Sequence, residues 1–259
     1  MTQAERRLFL IQALKDENSK YRNLRLPRDA VGQRKLLRSL LNVRAPGAIG
    51  DDFLAVQDAY LQQKLAEDGV TRVEDLSPVS GDLYLWQGDI TRLQCGAIVN
   101  AANSGLTGCY LPCHACIDNC VHTYAGIQLW QDCAALMAAQ GHPEPPGQAK
   151  ITKAYNLPCD YVLHTVGPIV EGLLTPEHER LLASCYHACL TLAEAHGVKS
   201  LAFCCVSTGV FRFPHERAAE IAVAAVRQYK QETNSRMKVI FNAFKDTDNA
   251  IYQRLLRAD

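Results

Sequence analysis

Ala97-Ile98-Val99-Asn100-Ala101-Ala102-Asn103-Ser104-Gly105 runs from an apolar stretch straight into two amides spaced by small residues. A short apolar run bounded by polar and glycine residues marks a buried strand and its end. Asparagine carries a donor and an acceptor on one short arm, so this strand end suits ribose hydroxyls or an oriented water. The plain alternative is an Asx-turn that closes the strand. Working outward, the same rhythm recurs. Leu83-Tyr84-Leu85-Trp86 reads as a strand before it. After it come a helical stretch near Ile117–Ala139, a Pro/Gly loop over Gly141–Gly147, and strands at Ala149–Ala154 and Tyr161–Val166. A helix at Glu177–His196, strand Leu201–Val206, helix His215–Tyr229, strand Lys238–Phe241 and helix Asp246–Leu255 complete the series. Strands alternating with helices predict a three-layer α/β domain whose sheet is mostly parallel. Ligands of such sheets bind beyond the carboxyl ends of the strands.

Residues 1–80 read differently. Leu8, Ile11 and Leu14 step by three, Leu36, Leu37, Leu40 and Leu41 sit in helical pairs, and a third helical run spans Asp51–Asp68. Pro27, Pro46 and Gly47 punctuate them. This predicts a helical N-terminal extension over 1–80, either a docked cap or a wall of a cleft, ahead of an α/β domain over 81–259.

The chain has 259 residues with 27 Lys plus Arg against 27 Asp plus Glu. The zero balance removes the whole-chain electrostatic case for nucleic acid or an anionic membrane surface. A local anion site survives, because backbone N–H groups need no net charge. No apolar run approaches the roughly 18 residues of a membrane span. MTQAERRLFL lacks an apolar core and a small-residue cleavage site, so export is not expected and a cytoplasmic, reducing compartment is.

Two further strand-end loops carry chemistry. In Gln87-Gly88-Asp89-Ile90 the carboxylate is either an ordinary turn residue or an acceptor for an exocyclic amine such as that of adenine. In Ser207-Thr208-Gly209-Val210-Phe211-Arg212-Phe213-Pro214, Gly209 permits close approach of backbone N–H groups to an anion, with a helix N-terminus following. Phe211 can pack on a sugar or base.

Four of the eleven cysteines fall at Cys109, Cys113, Cys116 and Cys120, with His114 among them. In a reducing compartment such a cluster points to metal rather than disulfides, and thiolate with imidazole suits zinc. Cys109, His114 and Cys116 offer three ligands with a fourth position open; by spacing Cys113 is an equal candidate, either in place of one of these or completing a closed structural site. Cys113, Cys116 and Cys120 also fit one face of a buried helix, where cysteine behaves as a small hydrophobe. Of the remaining cysteines, Cys204 and Cys205 fit a strand, Cys133, Cys185 and Cys189 fit helices, and Cys95 and Cys159 are isolated; His122, His164 and His215 read as structural.

Gly88-Asp89-Ile90, Asn100-Ala101-Ala102-Asn103, His122-x-x-Ala125-Gly126, Gly147-x-Ala149-x-x-Thr152, His164-Thr165-Val166-Gly167-Pro168 and Ser207-Thr208-Gly209-Val210-Phe211 follow, in order, the motifs of the macrodomain superfamily. From about residue 82 onward the chain resembles that family, and within it the zinc-containing protein-ADP-ribose hydrolases associated with class M sirtuins, which share a helical N-terminal extension. The resemblance implies a three-layer α/β/α fold with a mixed, mostly parallel sheet, and removal of mono-ADP-ribose from O-linked acidic side chains. It implies that Asp89 binds the adenine amine, that Ile90 adds backbone contacts, and that Ser207, Thr208, Gly209, Val210 and Phe211 form the diphosphate loop, with Phe211 near the distal ribose. Asn103 would face that ribose, and Asp118 would orient or deprotonate a water. Gly108–Cys116 replaces the glycine-rich stretch of the metal-free hydrolases, and the resemblance favours Cys109, His114 and Cys116 as the Zn2+ ligands. The ion could polarise the ribose or ester oxygen or acidify a bound water. Implied partners are ADP-ribose, a modified lipoyl-carrier protein like the glycine-cleavage H protein, and a sirtuin-type ADP-ribosyltransferase. A non-catalytic ADP-ribose reader with a structural zinc is the competing reading.

Overall fold

Thr2 opens the first helix, α1 (Gln3–Glu17), with a reciprocal cap: its hydroxyl accepts from Glu5 N–H while the Glu5 carboxylate accepts from Thr2 N–H. The computed structural model describes residues 1–257; the last two residues of the expected 81–259 unit lie outside them. Asp29 caps α2 (Ala30–Val43), and α3 (Asp51–Asp68) ends at Gly69, whose φ of +80° suits only glycine. Leu10, Ile11, Leu14, Leu37, Leu40, Leu41, Phe53, Tyr60 and Leu61 bury one another between the three helices, and Ile127 of the following domain completes this small core.

The elements that follow are β1 (Thr71–Arg72), β2 (Pro78–Ser80), β3 (Leu83–Gln87), β4 (Leu93–Gln94), β5 (Ala97–Ala101), α4 (Ile117–Ala125), α5 (Ile127–Gln140), β6 (Ala149–Lys153), β7 (Tyr161–Thr165), α6 (Pro176–Ala195), β8 (Ser200–Phe203), α7 (His215–Thr233), β9 (Lys238–Ala243) and α8 (Asp246–Arg257). The main sheet has the order β2-β3-β9-β8-β5-β7-β6. Its five inner strands, β3, β9, β8, β5 and β7, are parallel, and β2 and β6 close the edges antiparallel. Helices α6, α7 and α8 pack side by side against one face, while α4 and α5 pack against β5 and β6. Of the inner strands, β5, β7, β8 and β9 are buried on both faces over most of their length, which explains their largely apolar sequence.

Residues 71–80, expected within the helical extension, instead carry β1, which pairs with β4, and β2, which pairs with β3. The helical stretch expected near Ile117–Ala139 is two helices. Gly126 at φ +100° breaks it, and a Cβ there would lie 2.6 Å from Gln57 Nε2. Gln57, 1% exposed, comes from α3 and accepts from Ile127 N–H, capping α5. The extension is therefore bonded into the domain. The strand expected over Leu201–Val206 stops at Phe203, so Cys204 and Cys205 belong to the loop beyond it.

Candidate active site at the carboxyl edge of the sheet

Parallel strands β3, β8 and β5 deliver their following loops to one edge. Asp89 follows β3, Ser207–Phe211 follow β8, and Asn103 follows β5. Their order across the sheet is Asp89, then residues 207–211, then Asn103, with β9 between the first two. At about 4.8 Å per strand the three stations span about 14 Å. That span suits an elongated ligand with a base at one end, an anion in the middle and a sugar at the other.

Asp89 is half-buried and caps the short 3-10 turn Ile90–Arg92, accepting from Thr91 N–H at 3.0 Å and Thr91 Oγ1 at 2.7 Å. Ile90 is 2% exposed, so it has only backbone to offer. Asp89 lines a small cavity with Tyr124 and with Leu61 and Lys64 of α3.

The loop after β8 turns sharply. Ser207 sits at φ +65° and Arg212 at +58°, and Phe213 N–H donates to Ser207 O at 3.0 Å. Thr208 Oγ1 donates to Cys205 O, which pins the loop's start. Among the described residues, the N–H groups of Gly209, Val210 and Phe211 have no intramolecular acceptor. Successive free N–H groups on such a turn form an anion-binding nest, and α7 begins just beyond. A Cβ at Gly209 would meet no atom within 4 Å, so the glycine leaves room above the loop rather than serving the turn. Val210 is exposed, and Phe211 is half-buried against the core. Sequence reading gave Gly167 no role in this loop: a Cβ on it would fall 1.9 Å from Ser207 Oγ. Ser207 is 5% exposed, and its hydroxyl has no partner among the described residues.

At the far end, Asn103 Nδ2 donates to Gly108 O at 2.8 Å and approaches Asp118 Oδ2 at 3.4 Å, while its Oδ1 accepts from Gly105 N–H. The two strand-end amides thus differ. Asn103 is half-buried in the loop; Asn100 is fully buried and donates to Asp118 Oδ1 at 2.8 Å. Asp118, in the first turn of α4, is 4% exposed. Burial opposes its ionisation, but the His122 imidazole beside it, the Asn100 amide and His164 together hold the carboxyl below its usual range. A buried carboxylate kept ionised is a poor proton acceptor and a good anchor. His164 bridges Asn100 and Thr152 and stays neutral, burial and the neighbouring His122 driving it down to about 3. His122 is fully buried beside Trp130, and His215 opens α7 and pairs with Asp248.

Beyond Asn103 the chain enters the cysteine loop. Gly108 at φ +81° lies against Trp130, where a Cβ would come 2.9 Å from Nε1. Cys109 Sγ, a ring nitrogen of His114 and Cys116 Sγ all lie within 4.8 Å of one another, and Cys109 Sγ to His114 Nδ1 is 3.5 Å. An edge of a tetrahedral zinc site with bonds of about 2.3 Å to sulfur and about 2.0 Å to nitrogen is about 3.5 Å long. The donor set fits such an ion. Cys116 is also the N-cap of α4, accepting from Asn119 N–H at 3.4 Å, and burial together with the Cys109 sulfur pushes its thiol up to about 12. Cys113 takes no part in this group: its Sγ lies 3.2 Å from Ser39 Oγ and 3.4 Å from Lys35 O, on α2. Cys120 contacts Arg38. A second group of ligand-type atoms, His122, Cys133 and His164, is fully buried in the core.

The Macro domain family model matches residues 99–222. A protein from Treponema medium called "Protein-ADP-ribose hydrolase" is 57% identical over 99% of this chain and 100% of its own length. The chain belongs to the macrodomain family. It is an enzyme of that family's hydrolase branch. A Staphylococcus aureus (strain Mu50) protein of the same description is 47% identical, covering 97% of this chain and 95% of that protein. Among solved structures, a Trypanosoma brucei macrodomain in complex with ADP-ribose is similar at a TM-score of 0.65 and 30% identity, covering 84% of this chain and 94% of that one.

Proposed function

We propose that this macrodomain removes mono-ADP-ribose from proteins by cleaving an ester to an acidic side chain, with a zinc ion held by Cys109, His114 and Cys116. The observation that carries this reading is the ligand trio beginning one residue beyond Gly108, whose carbonyl is bonded to Asn103 at the sugar end of the cleft. Asp89 accepts from the adenine amine, and the N–H groups of residues 209–211 hold the diphosphate. With both remote parts of the substrate anchored, the distal ribose is fixed against Asn103, and binding energy is converted into position at the bond that breaks. Phe211 packs against the same sugar and excludes water from its face. Asp118 acts by holding Asn103 through Oδ2 while Asn100 steadies Oδ1; its burial favours this orienting role over direct proton removal from water. The ion, when bound, supplies Lewis acidity beside the ester.

The reading places the protein in the cytoplasm, with a sirtuin-type ADP-ribosyltransferase making its substrate on a lipoyl-carrier protein similar to the glycine-cleavage H protein. Among the described residues no helix is long and apolar enough to cross a membrane. Metal analysis of the purified chain, combined with ADP-ribose release from ester-linked and arginine-linked proteins, tests the proposal. It expects zinc near one per chain and release from the ester alone, lost on chelation. Release from both linkages overturns the substrate class. Substoichiometric zinc with full activity overturns the metal, and tight ADP-ribose binding without release from either substrate overturns hydrolysis in favour of a reader.

A further inference from the structure

Helix α2 of the extension reaches the cysteine loop with three side chains. Arg38 Nη2 donates to His114 O at 2.9 Å, to Asn119 Oδ1 at 2.8 Å and more weakly to Cys120 Sγ at 3.5 Å. Asn42 Oδ1 accepts from Cys113 N–H at 2.9 Å, while its amide donates to the buried Thr123 hydroxyl. Ser39 meets Cys113 Sγ. These contacts join segments 71 to 82 residues apart.

Asn119 is the link between α2 and the sulfurs. Its backbone N–H donates to Cys116 Sγ, and its side-chain Nδ2 donates to Cys109 Sγ at 3.5 Å and to Leu111 O at 3.0 Å. One residue therefore serves both sulfurs of the trio. The orientation of its amide is set from outside, because the guanidinium of Arg38 faces Oδ1. Turned over, the amide would put Nδ2 against the guanidinium and Oδ1 against a thiolate, unfavourable at both ends. N–H donors to ligating sulfurs stabilise the thiolate form and tune metal affinity.

The loop also needs restraint. Tyr110 at φ +53° and Cys113 at +52° occupy the left-handed region, which is unfavourable for non-glycine residues. The bonds between Asn42 and Cys113 and between Arg38 and His114 hold the loop in this shape.

We propose that the helical extension is a working part of the metal centre: Arg38, acting through Asn119, is a positioning residue that orients the sulfur ligands and sets the affinity for the ion. This rests on the metal reading of the loop given above, and it explains why α2 docks on this loop and on α4.

Zinc and cobalt affinities of the full-length chain, measured by competition with a chromophoric chelator, test it, together with the sulfur-to-cobalt charge-transfer band. Arg38→Ala is expected to weaken metal binding by about 10–100-fold and to shift that band. Arg38→Lys, which keeps the charge but not the fork, is expected to lose less. Arg44→Ala, at the C-cap of the same helix but bonded to Glu17 of α1, is expected to bind metal like wild type. ADP-ribose titration reports that each variant is folded, since the diphosphate loop lies elsewhere. Wild-type affinity and an unshifted band in folded Arg38→Ala or Arg38→Lys overturn the inference while leaving the metal reading intact. Equal weakening by Arg44→Ala overturns it as well, by showing a general loosening of the extension. A wild-type chain that binds neither metal removes the metal reading itself.

Discussion

Gly167→Ala is a probe of the proposed diphosphate loop, made from a neighbouring strand end. The new methyl would lie 1.9 Å from Ser207 Oγ, 3.0 Å from Val206 Cγ1 and 3.2 Å from Ser207 Cβ. Turning the Ser207 hydroxyl away relieves the first contact, but the other two remain short of the ordinary 3.5–4.0 Å or so between carbons. The start of the loop must therefore shift by about half an ångström, at about 1–3 kcal/mol of stability. A shift that costs one of the three N–H bonds to a bound diphosphate removes about 1.5–3 kcal/mol, or about 10–100-fold in Kd. Calorimetric titration with ADP-ribose, alongside thermal unfolding, reads both effects. The double variant Gly167→Ala/Ser207→Gly deletes two of the three clashing atoms and puts glycine at a φ of +65°, so most of the affinity should return. Wild-type affinity in Gly167→Ala, or no recovery in the double variant, would refute the assignment of this loop as the anion site.

Cys113→Ser should keep stoichiometric zinc, because that sulfur is turned to Ser39 and Lys35, whereas Cys109→Ser and Cys116→Ser should each lose it; metal content after gel filtration decides. Acid sensitivity should trace partly to His164. Its folded pKa, about 3, is depressed below the model-compound value of 6.5, so the unfolded chain binds the extra proton first, and stability present above pH 6.5 is lost as pH falls toward 3. Each pH unit inside that window costs up to about 1.4 kcal/mol. Unfolding midpoints should therefore fall less between pH 7 and pH 5 in His164→Gln than in wild type, relative to each protein's own value at pH 7; equal falls would show that this imidazole does not carry the effect.

The central strands were legible in the sequence because they are buried on both faces, so that segments such as Ala97–Val99 and Val239–Phe241 are apolar throughout. Short strands were not legible. Thr71–Arg72, Leu93–Gln94 and Pro78–Ser80 hold two or three residues each, too few to show alternation, and their pairing depends on the strands they meet. The break at Gly126 falls inside the stretch that the sequence predicts as helical, because the Gln57 amide that caps α5 comes from another element entirely. The same limit applies at the metal loop. Spacing left Cys113 level with Cys109, His114 and Cys116, and only the approach of α2, with Ser39 and Lys35 against that sulfur, separates them. Asn119 carries no motif of its own, and its two sulfur contacts become visible only when the first turn of α4 is folded against the loop. Asp118 was legible as a candidate to orient or deprotonate a water, but its burial and its approach to the Asn103 amide were not.

Zinc K-edge X-ray absorption of the purified chain, with and without ADP-ribose, decides whether an open metal site stands at the sugar end of the cleft. Two sulfurs at about 2.3 Å and nitrogen or oxygen neighbours at about 2.0–2.1 Å, the light-atom shell changing when ADP-ribose is added, is the expected result. A shell of three or four sulfurs, or one indifferent to ADP-ribose, would contradict it.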